Sequence, residues 1–337
     1  MRGAALTLAS LALSLATAAR AEPPTLPLGA DLERFEYPYP VRWFATGAQG
    51  GKVRMAYLDV APTGPANGRT AVLLHGKNFC AATWQSTIAA LAGAGWRVIA
   101  PDQVGFCKSS KPADFQYSFH ALANLTGRLL DEAGVERFAL IGHSTGGMLA
   151  IRQALLAPER IEQMVLVNPL GLNDTLAEGV RYTPLDDLRA EEAKTDAASI
   201  RAYQRRVYYD GRWRPEYDRW VDMLAGQYAG PDGDRVREAQ ARTSDMIQTQ
   251  PTAHELARLA VPVTLLIGQK DATAFRAGSA PQALRSRVRA VPAAADDAAR
   301  AIPGARIVRF ADLGHSPQVE DPARFEATLI EALAGPV

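Results

Sequence analysis

One stretch narrows the folds open to this chain more than any other: Phe138-Ala139-Leu140-Ile141-Gly142-His143-Ser144-Thr145-Gly146-Gly147-Met148-Leu149-Ala150. An apolar run of strand type ends at Gly142, Ser144 stands between glycines two residues to either side, and an Ala/Leu-rich helical run follows at once. A strand that turns directly into a helix through Gly142, His143 and Gly146 holds the central serine in a strained backbone conformation, which only small neighbours permit. The Ser144 hydroxyl then projects above the sheet edge at a helix N-terminus, where a nucleophile would be placed. A Gly/Ser turn that merely caps a helix would account for Ser144 or Thr145 but not for the strand and helix on either side.

The rest of the chain supplies a sheet for such an elbow. From Thr70 onward, short apolar runs alternate with amphipathic stretches, which predicts a mostly parallel sheet with helices on both faces. Strands are expected at Thr70 to Leu74, Arg97 to Ala100, Arg137 to Ile141, Ile161 to Val167, Val263 to Ile267 and Arg306 to Phe310. Helices are expected near Trp84 to Ala94, Ser118 to Ala133, Thr145 to Leu156 and Pro322 to Leu333. Ahead of these, Val41 to Thr46 and Val53 to Val60 read as a hairpin about Gly47-Ala48-Gln49-Gly50-Gly51, and the prolines of 22–40 read as an extended arm. An Ala-rich patch runs from Ala293 to Ala301.

The alternation breaks between Leu170 and Leu259, where helical stretches carry Tyr203, Tyr208, Tyr209, Trp213, Tyr217 and Trp220. A helical insertion of that length before the last two strands predicts a cap over a site, with some of these aromatics lining a pocket and most packing the cap itself. The expected organisation is a core of 41–169 and 260–337 interrupted by a cap at 170–259. The arginines of the cap are nearly balanced by acids such as Asp186, Glu191 and Asp222, and the whole chain carries a net charge of +1. Nothing in that balance points to nucleic acid, and a small-molecule substrate is the expected partner.

Arg2 precedes an uncharged run from Gly3 to Ala19, and Ala19-Arg20-Ala21 has small residues at the positions a signal peptidase reads. Residues 1–21 are therefore expected to be a signal peptide, with a mature chain that begins at Glu22, has no membrane span and is periplasmic or secreted.

A serine hydroxyl needs a general base, and the base needs an acid to fix its tautomer. His315, in Leu313-Gly314-His315-Ser316-Pro317, follows the last expected strand on a loop, the place where residues gather at one sheet edge. Asp271 follows the strand before it, whereas the equivalent place after Val167 holds Asn168, which cannot carry a negative charge. His75 and His120 read as structural, His254 as a cap or hinge residue, and Asp102 as an organiser of the turn that contains Gly105. The oxyanion formed on attack needs two donors already aimed. They are assigned to the backbone N–H of Thr145 and to that of Lys77, with Asn78 as a rival. Neither a metal nor an organic cofactor is implied, because the histidines are scattered and no phosphate loop is present.

With the order Ser144, Asp271, His315, the chain resembles the α/β-hydrolase superfamily, of the small capped kind. The resemblance rests on the His75-Gly76 turn, the Asp102 to Gly105 turn, the Gly142 to Gly146 elbow, the Gly268 to Asp271 acid loop and the Gly314-His315 loop, and it spans nearly all of 41–335. Members with aspartate at the elbow are dehalogenases or epoxide hydrolases, and Ser144 points away from both. The chain also lacks the triple glycine of many lipases and the Gly-Pro-Gly turn common in carbon-carbon bond hydrolases. The resemblance implies a serine hydrolase acting on carboxylic esters or lactones. The alternatives are a proline iminopeptidase-like aminopeptidase and a ligand receptor with vestigial hydrolase activity. In the strand order of that superfamily the loops bearing Cys80 and Cys107 are neighbours, which implies a disulfide between them in an exported protein.

Overall fold

The computed structural model describes residues 25–335; the expected signal peptide at 1–21 and the cleavage point before Glu22 lie outside them. Eight strands, β1 Val41–Ala48, β2 Gly51–Val60, β3 Thr70–Leu74, β4 Arg97–Pro101, β5 Phe138–His143, β6 Ile161–Val167, β7 Val263–Gly268 and β8 Arg306–Phe310, form one sheet. Their spatial order is β1-β2-β4-β3-β5-β6-β7-β8. The sheet is parallel from β4 to β8, and β2 runs antiparallel to both β1 and β4. The hairpin turn is tighter than the five-residue spacer suggests. Ala48 pairs with Gly51, leaving Gln49 and Gly50 at φ 49° and 80°. Both central residues thus take the positive φ that lets a two-residue loop follow the strand twist.

Side chains alternate across the sheet, so each strand feeds two cores. On β3, Val72 and Leu74 join Leu140, Met148 and Leu265 on one side, under α2 (Phe119–Glu132) and α3 (Thr145–Leu156). Ala71 and Leu73 face the other side with Trp84, Ile88 and Phe325, under α1 (Gln85–Gly93) and the C-terminal helix Pro322–Ala334. Every residue of β5 is buried. A strand covered on both faces favours apolar residues, which is why Phe138 to Gly142 read as a continuous run; only His143 at its end is polar, and it is hydrogen-bonded.

Between β6 and β7 come four helices: α4 Leu185–Glu192, α5 Ala197–Val207, α6 Asp218–Tyr228 and α7 Gly233–Thr249. α4 packs on α7, and α5 on α6. The alanine-rich patch is a helix, α8, Val291–Ala301, which buries Val291, Ala294, Ala295 and Ala298 on the first face. That spacing is a helical stripe, legible in the sequence but built from side chains too small to stand out. α9, Pro317–Glu320, precedes the C-terminal helix, α10, Pro322–Ala334. The proline-rich arm is not extended throughout. It turns at Gly29 to Leu32, the Leu28 N–H reaches the Gly226 carbonyl at 2.8 Å, and Leu32 is fully buried among Phe79, Cys80 and Tyr208. No helix among the described residues is long and apolar enough to cross a membrane.

Candidate active site

Ser144 follows β5 and precedes α3 with φ 55° and ψ −119°. Few residues tolerate this, and the surroundings explain why it persists. A Cβ on Gly146 would lie 2.3 Å from the Leu74 carbonyl oxygen, and one on Gly142 would lie 2.4 Å from the Gly146 carbonyl oxygen. The strand and helix can approach this closely only because both positions are glycine. The Ser144 N–H donates to the Val167 carbonyl at 3.0 Å, while the Ser144 carbonyl accepts from Gly147 and Leu170. The elbow is thereby tied to β6 as well as to its own helix.

The loops after β7 and β8 bring the other two residues together. His315 Nδ1 lies 2.7 Å from Asp271 Oδ2, and both side chains are fully buried. Donating to that carboxylate, Nδ1 carries the proton and Nε2 is left as the acceptor. Nε2 is buried and has no hydrogen-bond partner. The carboxylate is held from two more directions, by Asn168 Nδ2 at 2.8 Å on Oδ2 and by the Thr273 N–H at 2.7 Å on Oδ1. Thr273 Oγ1 also lies 3.1 Å from His315 Nδ1. Asn168, rejected as an acid on sequence grounds, thus serves the acid instead. Its Oδ1 accepts from the Gly268 N–H at 3.0 Å, so it bridges the ends of β6 and β7. Neither Asn168 nor Thr273 carried a sequence signal for this role beyond its place near a strand end.

His143 does not point at the serine. Its Nε2–H donates to the His315 carbonyl at 2.8 Å, and burial, reinforced by the nearby His315, pushes its pKa well below the usual histidine range. A neutral ring with a fixed tautomer makes it a brace for the histidine loop. The same loop is gripped from below by Glu320, whose Oε1 accepts from the N–H groups of Gly314 (2.8 Å) and Ser316 (3.3 Å). Burial pushes the Glu320 carboxyl up to about 7.

The loop 75–79 lies against the elbow, since a Cβ on Gly76 would be 2.9 Å from Ser144 Cβ. Thr145 is the first residue of α3, where N–H groups have no intrahelical acceptor. Among the described residues no backbone carbonyl accepts from Lys77 or Asn78. Their side chains turn away, Lys77 Nζ to Glu192 Oε1 at 2.9 Å and Asn78 Nδ2 to Tyr208 Oη at 2.9 Å. Cys80, directly after this loop, is bridged to Cys107 with a Cα separation of 5.9 Å and a sequence separation of 27. Closing a loop of that length stabilises the fold by about 3.5 kcal/mol in the chain-entropy model. Asp102 organises the same corner, accepting from the Ala81 N–H (2.8 Å), the Lys108 N–H (3.1 Å) and Tyr37 Oη (2.6 Å). The one cluster of described residues spaced for a metal is Cys80, Asp102 and Cys107, and its two sulfurs are joined to each other.

His75 donates Nδ1–H to the Gly76 carbonyl and accepts from the Gln103 N–H, so both nitrogens are used in shaping the loop. His254 pairs with Asp174 at 2.9 Å on the surface, and His120 is exposed.

A cavity of about 290 Å³ opens beside the loop 75–79, walled by Lys77, Asn78, Glu191, Glu192, Tyr203 and Arg276 among others. Its acids are already paired: Glu192 with Lys77, and Glu191 with Arg276 through two contacts of 2.9 Å. Ser144 and His315 are not in its wall, but Asn78 and Tyr203 both touch Tyr208, which stacks on His315. Of the six aromatics singled out in the sequence, only Tyr203 lines the cavity and only Tyr208 meets the imidazole. Tyr209 stacks on Tyr217 with ring centroids 4.0 Å apart, Trp213 meets both edge-on, and Trp220 packs in the same cluster.

Comparison with known proteins agrees with this fold. A family model described as alpha/beta hydrolase fold matches residues 72–322. The crystal structure of a probable hydrolytic enzyme from Pseudomonas aeruginosa PAO1 superposes with a TM-score of 0.90 at 53% sequence identity, covering 92% of this chain and 99% of that one. The 2-hydroxymuconate semialdehyde hydrolase of Pseudomonas putida is 28% identical over 248 residues, 70% of this chain and 75% of the relative. The enol-lactonase from Burkholderia xenovorans LB400 is alike in fold alone, with a TM-score of 0.64 at 20% identity over 87% of this chain and 100% of that one.

Proposed function

Because the chain belongs to the α/β-hydrolase fold family, we propose that it is an exported serine hydrolase that cleaves carboxylic esters, lactones included, through an acyl-enzyme. The observation that carries this reading is the buried Asp271–His315 pair, which leaves His315 Nε2 as the one unpartnered nitrogen of the ring, in a chain whose Ser144 stands on a strained elbow. Nε2 takes the proton as Ser144 Oγ bonds to the acyl carbon, and the oxyanion is received by the N–H of Thr145 together with that of Lys77 or Asn78. The proton then passes to the departing alcohol oxygen. Water, deprotonated by the same nitrogen, attacks the acyl-enzyme and frees Ser144.

The α4–α7 block acts as the cap, and the cavity beneath it receives the substrate. Its charges cancel in pairs, so it suits an uncharged polar group of modest size. An aminopeptidase needs a free acid to hold the substrate amine, and Glu191 and Glu192 are the pocket acids that could supply one; both are spoken for by cations. Export is supported by the apolar run after Arg2 and by a disulfide, which persists in oxidising compartments.

The test uses chain recovered from the periplasmic or secreted fraction, where its mass should begin at Glu22. It is assayed on p-nitrophenyl esters of increasing acyl length, with prolyl p-nitroanilide alongside and Ser144→Ala as control. Ester turnover is expected to peak at short acyl lengths and to fall by about a thousandfold or more in the variant. Turnover of the anilide alone would move the protein to the peptidase class, and an active Ser144→Ala would overturn the mechanism.

A further inference from the structure

The base of the triad is held not only by the core. α5 ends at Val207, and its last turn is wedged between the acid and histidine loops: the Val207 carbonyl accepts from the Ala272 N–H at 3.1 Å, and the Tyr208 carbonyl accepts from the His315 N–H at 2.9 Å. The approach is so close that a Cβ on Gly314 would fall 1.8 Å from the Tyr208 carbonyl oxygen. The ring of Tyr208 then lies over His315, with centroids 4.3 Å apart and planes 28° apart. Its hydroxyl accepts from Asn78 Nδ2 at 2.9 Å, and its outer surface meets Phe79 at 6.1 Å. One side chain from the helical block therefore touches both the general base and the loop assigned to the oxyanion.

We propose that Tyr208 is a positioning residue for catalysis: its ring fixes the plane of the His315 imidazole, and its hydroxyl fixes the 75–79 loop through Asn78. This rests on the serine hydrolase reading above. Asp271 and Thr273 hold Nδ1 but touch only that end of the ring, and a flat aromatic face over the ring restricts its remaining freedom to turn. An aromatic face also favours the positive charge that His315 gains as it takes the serine proton. Holding base and oxyanion donors in register is the kind of orientation whose loss by about 1 Å can cost about a hundredfold in rate.

The experiment combines Tyr208→Leu, Tyr208→Phe, Asn78→Ala and the Tyr208→Phe/Asn78→Ala double variant. Each is measured by kcat and KM on p-nitrophenyl acetate, by the rate of fluorophosphonate labelling at Ser144, and by thermal unfolding. Tyr208→Leu is expected to lower kcat and the labelling rate by about a hundredfold with KM changed less than about threefold. Tyr208→Phe keeps the ring and should lose no more than about tenfold, the worth of one neutral hydrogen bond. If the hydroxyl acts through Asn78, the double variant should be no slower than the slower single one. A raised KM with unchanged kcat and labelling in Tyr208→Leu would make Tyr208 a pocket wall and overturn the inference. Additive losses in Tyr208→Phe and Asn78→Ala would overturn the link to the loop, and this cycle stands even if Tyr208→Leu fails to fold. Wild-type protein that neither turns over esters nor is labelled would sink the hydrolase reading and this inference together. Turnover lost in Ser144→Ala but indifferent to Tyr208→Leu would sink only the inference.

Discussion

The sheet and the first two helices above it, α4 and α5, are held in place by different forces. β5 and β7 bury every residue they contain, and the loops at their ends carry Ser144 and Asp271. α4 buries only Leu188 and α5 only Ile200 and Gln204. Polar contacts carry much of α4 instead, such as Arg189 to Glu238 and Arg276 to Glu191, whereas α6 and α7 bury apolar faces of their own. Partly exposed pairs of this kind contribute about 0 to 1 kcal/mol each, whereas a displaced core side chain costs several times that. A residue at the end of a buried strand cannot shift without opening the core. A partly exposed ion-paired residue on α4 can be re-paired at small cost. Ser144 and Asp271 sit in the first setting and most of the cavity wall in the second, so changes at the strand ends should act on turnover and changes in the cavity wall on substrate preference; Tyr208, which leaves the block to cover His315, is expected to act on turnover.

The sharpest way to break that division is at the acid. Asp271→Asn keeps the shape of the site but cannot hold Nδ1–H with a charge, and kcat should fall by about a thousandfold or more with KM little changed. Steady-state kinetics that showed a change mainly in KM would place Asp271 outside the reaction.

A smaller effect, on stability rather than rate, is expected beneath the histidine loop. The Glu320 carboxyl is raised from 4.5 in the unfolded chain to about 7 in the folded one, so the folded state holds its proton more tightly. Its contribution is present below the unfolded value and is lost as pH rises through the interval to about 7, an upper bound of about 3 kcal/mol. Glu320→Gln keeps an oxygen for the Gly314 and Ser316 N–H groups and removes the titration. Its unfolding temperature should therefore drop less than that of the wild type between pH 5 and pH 8; equal drops would assign the pH dependence elsewhere.

The smallest effect belongs to the cavity wall. Arg276→Ala leaves Glu191 unpaired at the cavity, and kcat on neutral esters should stay within about fivefold while KM shifts, the scale of a partly exposed ion pair. The freed acid should at the same time improve binding of a substrate with an amine, read as competition by proline amide in the ester assay. A large fall in kcat would contradict the division between core and block.

Much of the site was legible because the chemistry depends on local spacing. Gly142, Ser144 and Gly146 announce the elbow within five residues, and Asp271 and His315 each follow a short segment that reads as a strand, Val263 to Ile267 and Arg306 to Phe310. Asn168 was visible as a residue after a strand, but its role was not, since its partner Asp271 is 103 positions away. Tyr208 was one of six cap aromatics, and nothing local separates it from Tyr209, which packs among other rings. The helix Val291–Ala301 escaped because alanine marks a buried face too faintly.

The sequence by itself determined the parallel core, the elbow and the order in which Ser144, Asp271 and His315 follow their strands, because strand and helix periods and glycine sterics act between near neighbours. Only the tertiary structure decided which polar groups support the acid, which aromatic covers the base and how the charges of the cavity pair off. Those are contacts between residues tens to hundreds of positions apart, such as Asn78 and Tyr208 at a separation of 130. They exist once the sheet has brought its loops to one edge and the helices have closed over them.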